Sequence, residues 1–175
     1  IAVGPRRGFP QAQFLPHNLP QTMVGAGMLW VGWFGFNAGS QLAANGSAAM
    51  TLIVTHLSAC TAAVVWMGIE WLVIRKSSAL GIATGSIAGL AAITPASGKV
   101  GPIGALCIGA TSAIICWIAC AKLKKTFRYD DSLDVFGVHG VGGFVGTLLV
   151  AVFGSKHFAG GLGDFEILPQ LTTQA

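Results

Sequence analysis

The sequence predicts an all-α membrane protein with five transmembrane helices. Of its 175 residues, 53% are hydrophobic and only 9% are charged, and the mean hydropathy is +0.70. These values lie outside the usual range for soluble domains. A helix of roughly 20 apolar residues crosses a hydrocarbon core of about 30 Å, and segments of that kind occur five times. Helices are expected because a lipid-exposed backbone must satisfy its own hydrogen bonds.

The five expected helices follow one another with short connections. They cover residues of about 20 to 40, 48 to 74, 78 to 97, 101 to 121 and 134 to 154. Asn18 and Pro20 suit the start of the first helix, because asparagine caps a helix N-terminus and proline fits the first turn. Pro95 and Pro102 mark the turn between the third and fourth helices.

Basic residues collect in the loops on one side of these helices. The loops before the first helix, after the second and after the fourth hold Arg6, Arg7, Arg75, Lys76, Lys122, Lys124, Lys125 and Arg128. Only Lys99 and Lys156 lie on the other side. The positive-inside rule therefore predicts that the basic loops are cytoplasmic and that the protein crosses the cell membrane several times. The formal net charge of +4 needs no nucleic-acid partner to explain it.

Both ends of the chain consist of loop-like sequence. Residues 1–20 are polar, basic and interrupted by proline, which is typical of a loop between helices and not of a signal peptide. Residues 156–175 form a short glycine-rich segment on the outer side. We therefore expect the chain to begin in the middle of a protein and to contain no soluble domain.

Small residues recur at intervals of four in the third and fourth helices. One face of the third helix carries Gly81, Gly85 and Gly89, and one face of the fourth carries Gly101, Ala105, Gly109 and Ala113. Small residues let two helix backbones approach closely within a membrane. The four cysteines, Cys60, Cys107, Cys116 and Cys120, fall within expected helices and indicate neither a disulfide framework nor a zinc site.

Three ionisable side chains lie within the expected helices, where each needs a partner or a cavity. Glu70 is close to Arg75, which favours a structural ion pair. His56 stands beside Thr55 and Ser58, and a hydrogen bond to another helix explains it.

His139 is the third ionisable residue, and two interpretations of it stay open. Counting 3.6 residues per turn places it on one stripe with Val135, Val138, Gly142 and Gly146. That stripe suits the wall of a narrow pore. A core histidine bonded to a backbone carbonyl explains it equally well.

An aromatic stripe in the first helix favours the pore interpretation. Trp33, Phe36 and Ser40 lie at positions i, i+3 and i+7 of "WVGWFGFNAGS" and lead to the outer surface. Aromatic faces stabilise cations, and a serine hydroxyl accepts a hydrogen bond from an ammonium-like donor. Together with His139 they suggest a path that selects a small cation and then strips its water.

Three stretches of the sequence closely resemble the second half of ammonium transporters of the Amt/Mep/Rh family. They are "PHNLPQTMVGAGMLWVGWFGFNAGS" (16–40), "GSIAGLAAITPASGKVGPIGAL" (85–106) and "YDDSLDVFGVHGVGGFVG" (129–146). The resemblance implies an eleven-helix transporter whose first ten helices form two inverted five-helix repeats and whose subunits assemble as homotrimers. The five expected helices resemble helices six to ten, which are the second repeat.

The resemblance also implies a role for individual residues. Ser40 resembles the serine of the outer ammonium site, with Trp33 on the same face, and Phe36 resembles the second of two gate phenylalanines. His139 resembles the second of the paired pore histidines. Val135 would then line the inner pore. Asp134 would lie at its cytoplasmic mouth, where a helix-capping carboxylate is an adequate structural explanation.

The resemblance leaves parts of the family's pattern without a match. The first repeat, which supplies the other histidine and the other phenylalanine, has no counterpart here, nor have the eleventh helix and the cytoplasmic tail. We therefore expect a partial sequence of a functional transporter that binds ammonium and ammonia in a lipid bilayer. In bacteria and archaea, a PII signalling protein would contact the loops at 75–78 and 122–133.

Two alternatives have different functions. An ammonium sensor would keep the transporter fold and signal instead of conducting. An intramembrane metalloenzyme would use His17, His56 and His139, but these lack a paired-ligand spacing such as H-x-x-x-H. The sequence thus predicts no enzyme activity, no catalytic residue, no metal and no cofactor.

Overall fold

The computed structural model describes residues 4–9, 16–158 and 160–174. The chain forms six helices within these ranges: α1 (Leu19–Gly39), α2 (Gly46–Ile74), α3 (Ala79–Ile93), α4 (Pro102–Phe127), α5 (Phe136–Phe153) and α6 (Ile167–Gln174). In the same ranges, the β-type pairing is limited to one isolated antiparallel bridge, between Val100 and Gly161.

Polar side chains fix the starts of the first three helices. The Asn18 side chain accepts a hydrogen bond from the Gln21 amide, and Pro20 occupies the first turn of α1, as the sequence predicts. Asn45 accepts in the same way at the start of α2, and Ser78 does so at the start of α3. Each of these caps satisfies an amide that has no partner within its own helix.

The helices follow the expected segments with differences at their ends. α2, α4 and α5 are long and apolar enough to cross a membrane, whereas α3 has only 15 residues. α3 ends at Ile93. Thr94 still has helical φ and ψ, but Pro95 has no backbone amide with which to continue the helix, and the chain goes on as turns. α4 extends to Phe127 through a π-helical turn at Ala119–Leu123. The helix α6 was not expected from the sequence.

The small-residue faces pack as predicted, with α2 between α3 and α4. A Cβ atom added to Gly89 of α3 would lie 2.5 Å from the Ser58 carbonyl oxygen, and one added to Gly109 of α4 would lie 2.5 Å from the same oxygen. Gly85 is equally close to the Cβ atom of Trp66. Only glycine permits these distances, so the prediction of close helix contacts is confirmed.

The buried core lies among α2, α3, α4 and α5. One cluster of buried residues is near the outer end of the bundle and comprises Val54, Ala92, Ile93, Ala96, Val100, Ala105, Ile108 and Val150. A second cluster lies towards the basic loops and comprises Trp66, Ala88, Cys116 and Val138. By contrast, Asn37 is the one buried residue of α1. α1 is therefore attached at the side of the bundle.

Glu70 has a structural role, but its partner differs from the expected one. Its carboxylate accepts hydrogen bonds from the backbone amide of Ser78 at 2.8 Å and from the Ser78 hydroxyl at 3.1 Å. These bonds link the end of α2 to the start of α3, so the expected pairing with Arg75 is wrong. Arg75 instead ends α2 in a left-handed conformation, with φ of 59°.

Backbone hydrogen bonds join two loops at the end opposite the basic loops. The Gly101 amide donates to the Gly160 carbonyl at 2.8 Å, and the Leu162 amide donates to the Lys99 carbonyl at 2.9 Å. Gly160 has φ of +94°, a value that side-chain-bearing residues rarely adopt. The loop before α4 and the loop after α5 are thereby held together.

Candidate functional site

Three aromatic rings from α1 and α5 lie side by side on one face of the bundle. The Trp33 indole lies nearly parallel to the His139 imidazole, with ring centroids 6.1 Å apart and 18° between the planes. The Phe36 ring meets the same indole edge-on at 6.2 Å. Phe36 is 63% exposed. This face is therefore rich in aromatic rings, and at Phe36 it is largely uncovered by the residues that the structure describes.

A hydrogen bond to α3 fixes the Trp33 indole. Its Nε1–H donates to the Thr94 hydroxyl oxygen at 2.8 Å, and that hydroxyl donates to the Leu90 carbonyl at 2.8 Å. The indole nitrogen can only donate, and the hydroxyl has already used its single proton. The donor and the acceptor therefore match, and the ring has one preferred orientation.

Ser40 follows the last residue of α1 at the outer end of this face. Its hydroxyl donates to the Phe36 carbonyl at 2.6 Å, and the residue is exposed. The hydroxyl proton is thereby used within the helix, so the oxygen lone pairs face outward as acceptors. Such an oxygen can accept a hydrogen bond from a cationic N–H donor.

Two adjoining cavities extend along this face. The outer one measures about 730 Å³ and is lined by Gly25, Met28, Leu29, Gly32, Trp33 and Phe36. The inner one measures about 660 Å³, and its walls include Leu29, His17, Asn18, Thr84, Asp134 and His139. Leu29 belongs to both cavities. The two cavities adjoin at this residue, and together they form the groove, with Trp33 and Phe36 in one part and His139 and Asp134 in the other.

The sequence predicted that Val135, Val138, Gly142 and Gly146 share one helix face with His139. This prediction is wrong, because α5 begins with a π-helical turn at Phe136–Gly140. Such a turn bonds residue i to i+5 and shifts every position beyond it relative to a 3.6-residue repeat. Val138 is 3% exposed and packs in the core with Cys116, and Gly142 and Gly146 also face the neighbouring helices. His139 and Val135 instead lie on the exposed side, and Val135 is 51% exposed.

The two π-helical turns of α4 and α5 pack against each other directly behind His139. A Cβ atom on Gly137 would lie 2.5 Å from the Cys120 sulfur, so the turns meet at their closest there. The Cys116 thiol donates to the Val138 carbonyl at 3.8 Å. That carbonyl also accepts from the Val141 backbone amide, so the thiol is its second donor and adds a contact between α4 and α5.

The carboxylate that caps α5 is Asp131, and not Asp134 as expected. Its two oxygens accept from the Val135 amide at 2.9 Å and from the Phe136 amide at 2.7 Å. Asp134 has φ of 53°, and its carboxylate pairs with the Lys124 ammonium at 2.8 Å. It lines the inner cavity, near the basic loops.

A second ion pair ties the start of the described chain to the loop before α5. The Arg6 Nε atom donates to Asp130 Oδ2 at 2.8 Å, and the Arg6 backbone amide donates to the same carboxylate at 2.7 Å. Hydrogen bonds from the Arg6 side chain lower the pKa of Asp130 from 3.8 to about 2. Arg6 also lines the inner cavity.

His56 lies on a different face from His139. Its ring contacts Trp30 and Phe34 of α1 at centroid distances of 5.4 and 5.7 Å. Its Nε2 atom is 3.6 Å from the Cys60 sulfur within the same helix, so the expected hydrogen bond to another helix is wrong. The described residues contain no group of three or more His, Cys, Asp or Glu side chains placed to hold a metal ion.

Three residues at the site were not identified from the sequence: Thr94, Asn37 and Asp131. Asn37 is 4% exposed, and its Nδ2 atom donates to the Thr55 hydroxyl at 3.1 Å. Isolated polar residues in apolar stretches, such as Asn37 in "GFNAGS" and Thr94 in "AAITP", are the signal that could have indicated them. Their partners, however, come from distant parts of the chain.

Comparisons with known proteins give one consistent result. Residues 1–174 match the Ammonium Transporter Family. An ammonium transporter from Aquifex aeolicus is 50% identical over 146 residues, which cover 83% of this chain and 34% of that protein. The chain thus spans about a third of the length of this relative.

Solved structures agree with the sequence comparison. The crystal structure of Saccharomyces cerevisiae Mep2 superposes with a TM-score of 0.80 at 32% identity, over 91% of this chain and 40% of that one. A structure titled "Sensor Amt Protein" gives a TM-score of 0.83 at 35% identity, over 90% of this chain and 39% of that one.

Proposed function

The chain belongs to the ammonium transporter family, and from this premise we propose that it forms one wall of a transmembrane path for ammonium and ammonia. It is part of an integral membrane protein and not of an enzyme. The observation that carries the proposal is the stack of Trp33 on His139 along an exposed apolar groove. An imidazole in such a place needs a polar partner, and a substrate that donates hydrogen bonds supplies one.

Ammonium is recognised at the outer end by Phe36, Trp33 and Ser40. The two rings meet edge to face, so their π electrons surround one region near the end of α1. Aromatic faces stabilise a cation by about 2 kcal/mol or more once water is removed. The Ser40 oxygen has its lone pairs free, so it accepts an N–H bond from the bound ion.

His139 then discriminates between ammonium and potassium. The two ions have similar size and charge, so width alone separates them poorly. Ammonium donates directed hydrogen bonds and can release a proton, whereas potassium does neither. A neutral imidazole therefore accepts from ammonium or ammonia and gives potassium no replacement for its lost water.

The inner part of the path leads past Val135 to Asp134. Val135 is 51% exposed on the same side of α5 as His139, and its apolar side chain favours neutral ammonia over a hydrated ion. The Asp134 carboxylate is held by Lys124, so the two charges largely cancel at the mouth. A product leaving the pore is then neither trapped nor repelled there.

The opposite wall of the pore comes from residues outside this sequence, as the family's inverted repeat implies. The exposure of Phe36 and Val135 supports this proposal, because such side chains on a substrate path need a second wall that excludes lipid. A second histidine would orient His139 from that side. We propose a homotrimer with one pore per subunit in the cell membrane.

The basic loops are proposed to face the cytoplasm and to offer a docking surface for a PII signalling protein. Residues 122–133 comprise the last turns of α4 and the loop that follows it, and two ion pairs hold this segment, Arg6 with Asp130 and Lys124 with Asp134. A segment that is held in one conformation loses less conformational entropy when a partner binds.

Ammonium-dependent current across proteoliposomes containing the complete transporter tests the proposal. We expect a saturable current with ammonium and none with potassium at the same concentration. Equal currents with both ions would contradict selective transport through this path.

An ammonium sensor is the second candidate function, and the similarity to the structure titled "Sensor Amt Protein" favours it. A sensor binds ammonium without passing it across the membrane. Ammonium binding measured by calorimetry, with neither current nor methylammonium uptake in the same preparation, would support the sensor.

A further inference from the structure

Thr94 lies between α3 and the groove that contains Trp33 and His139. It directly follows the last residue of α3, where Pro95 prevents the helix from continuing. Its hydroxyl donates a hydrogen bond to the Leu90 carbonyl, and its oxygen accepts one from Trp33 Nε1. This side chain is the polar link between the pore-facing indole and the core of the bundle.

The Trp33 indole in turn limits access to His139 from one side. It lies nearly parallel to the imidazole, with the ring centroids 6.1 Å apart. The nitrogen lone pair lies in the plane of the imidazole and points away from its edge, so a donor must approach the ring there. If the indole rotated about its side-chain bonds, it would either open that side of the imidazole or enter the groove.

We propose that Thr94 is a positioning residue of the pore: its hydroxyl fixes Trp33 beside His139, nearly parallel to the imidazole, and so directs ammonium or ammonia to the edge of that ring. This inference rests on the proposed transport function. Thr94 acts through Trp33 and touches no substrate. Its effect should fall mainly on the maximal rate, because Phe36 and Ser40, two of the three residues of the outer site, do not depend on this bond.

Valine and serine substitutions separate the hydroxyl from the shape of the side chain. Thr94→Val keeps the volume and removes the acceptor, whereas Thr94→Ser keeps the acceptor. In the complete transporter, we expect Thr94→Val to lower the maximal ammonium current about three- to tenfold, the range for losing one hydrogen bond. The half-saturating concentration should stay near that of the wild type, and Thr94→Ser should retain most of the current.

A double-mutant cycle distinguishes positioning from a general structural role. Phenylalanine in Trp33→Phe has no N–H group, so Thr94→Val should cause little further loss in that background. A merely structural Thr94, acting through its bond to Leu90, would lower the current equally in both backgrounds. The proposal would be overturned if Thr94→Val lowered the current by the same factor in both backgrounds, or if the Thr94→Val protein had wild-type current.

The indole N–H also gives a signal that does not depend on transport. The complete protein is labelled with ¹⁵N at the indole nitrogen of its tryptophans. The Trp33 resonance is identified as the one that is absent from the spectrum of Trp33→Phe. Thr94→Val should shift it upfield, because the hydrogen bond is lost, and Thr94→Ser should not. An unshifted resonance would overturn the positioning role, whereas a shifted resonance in a protein that carries no ammonium current would count against the proposed function alone.

Discussion

The Trp33 indole and the His139 imidazole lie nearly parallel, with their centroids 6.1 Å apart. The two residues come from α1 and α5, at opposite ends of the sequence. α1 reaches this position although Asn37 is its one buried residue, bonded to Thr55 of α2. A few polar contacts thus place the aromatic face of α1 beside the histidine.

Replacing His139 tests its role in transport. His139→Ala should lower ammonium current about tenfold or more, since hydrogen bonds to a charged group are worth more than neutral ones. Potassium should also be excluded less well. The melting temperature should stay close to that of the wild type, because the imidazole lies on the exposed face of α5 and not in the core.

His56→Ala is the matched control for this change. That imidazole contacts Trp30 and Phe34 on another face, so its loss should leave selectivity intact. A His139→Ala protein that melts earlier and remains selective would make His139 a structural residue.

Removing the Ser40 hydroxyl should weaken uptake mainly at low substrate concentration. Ser40→Leu deletes the outward acceptor, and we expect the half-saturating ammonium concentration to rise about tenfold. Concentration series of methylammonium uptake measure the effect. Ser47→Leu is the control, because that exposed hydroxyl donates to Gln41 at the same end of the bundle. Identical concentration dependence of uptake in the two variants would show that Ser40 is not part of the substrate site.

The Phe36 ring should restrict the outer entrance. Phe36→Ala removes the ring that meets Trp33 edge-on, so the groove widens and ions should pass with less discrimination. The ratio of ammonium to potassium current at equal concentrations measures the change. An unchanged ratio would assign the ring to packing alone.

The contact between Gly146 and α3 should tolerate no side chain. A Cβ atom on Gly146 would lie 1.9 Å from the Ala92 carbonyl oxygen, so Gly146→Ala should destabilise the protein by about 1–3 kcal/mol or more. Gly143→Ala is the control on the same helix, since the space around its Cβ position is open. Melting temperatures in detergent should fall for the first variant only, and equal values would contradict the packing.

The ion pair between Arg6 and Asp130 predicts a defined pH dependence. The pKa of Asp130 is lowered from 3.8 to about 2. The ion pair therefore contributes fully to the stability of the folded protein above about pH 4, and this contribution is lost as the pH falls towards 2. The difference in melting temperature between the wild type and Asp130→Asn should therefore be constant from pH 7 to about 4 and then shrink. Asp164→Asn, at an exposed position far from Arg6, should show no such pattern.

The proposed orientation can be tested by cysteine labelling in the complete transporter with its native cysteines replaced by alanine. Ala44→Cys and Ser77→Cys lie at exposed positions at opposite ends of α2. A membrane-impermeant maleimide should label the first from outside intact cells and the second only after the cells are opened. The reverse pattern would invert the topology.

Much of the fold can be predicted from the sequence because its signals are local. Apolar length, capping residues such as Asn18 and the prolines of the turn after α3 give the positions of α1 to α5. Glycines spaced by four identify the faces on which α3 and α4 approach α2. The motifs around Phe36 and His139 identify the family.

The sequence by itself therefore determined the helices and the faces on which they make close contact, whereas the tertiary structure decided which side chains meet at the groove. The π-helical turn that moves His139 off the counted stripe depends on Gly137 meeting Cys120 of α4. Likewise, Thr94 holds Trp33, although the two residues are 61 positions apart. A bond of this kind joins groups whose meeting depends on how the chain folds around them, and a repeat of 3.6 residues contains no information about such a meeting.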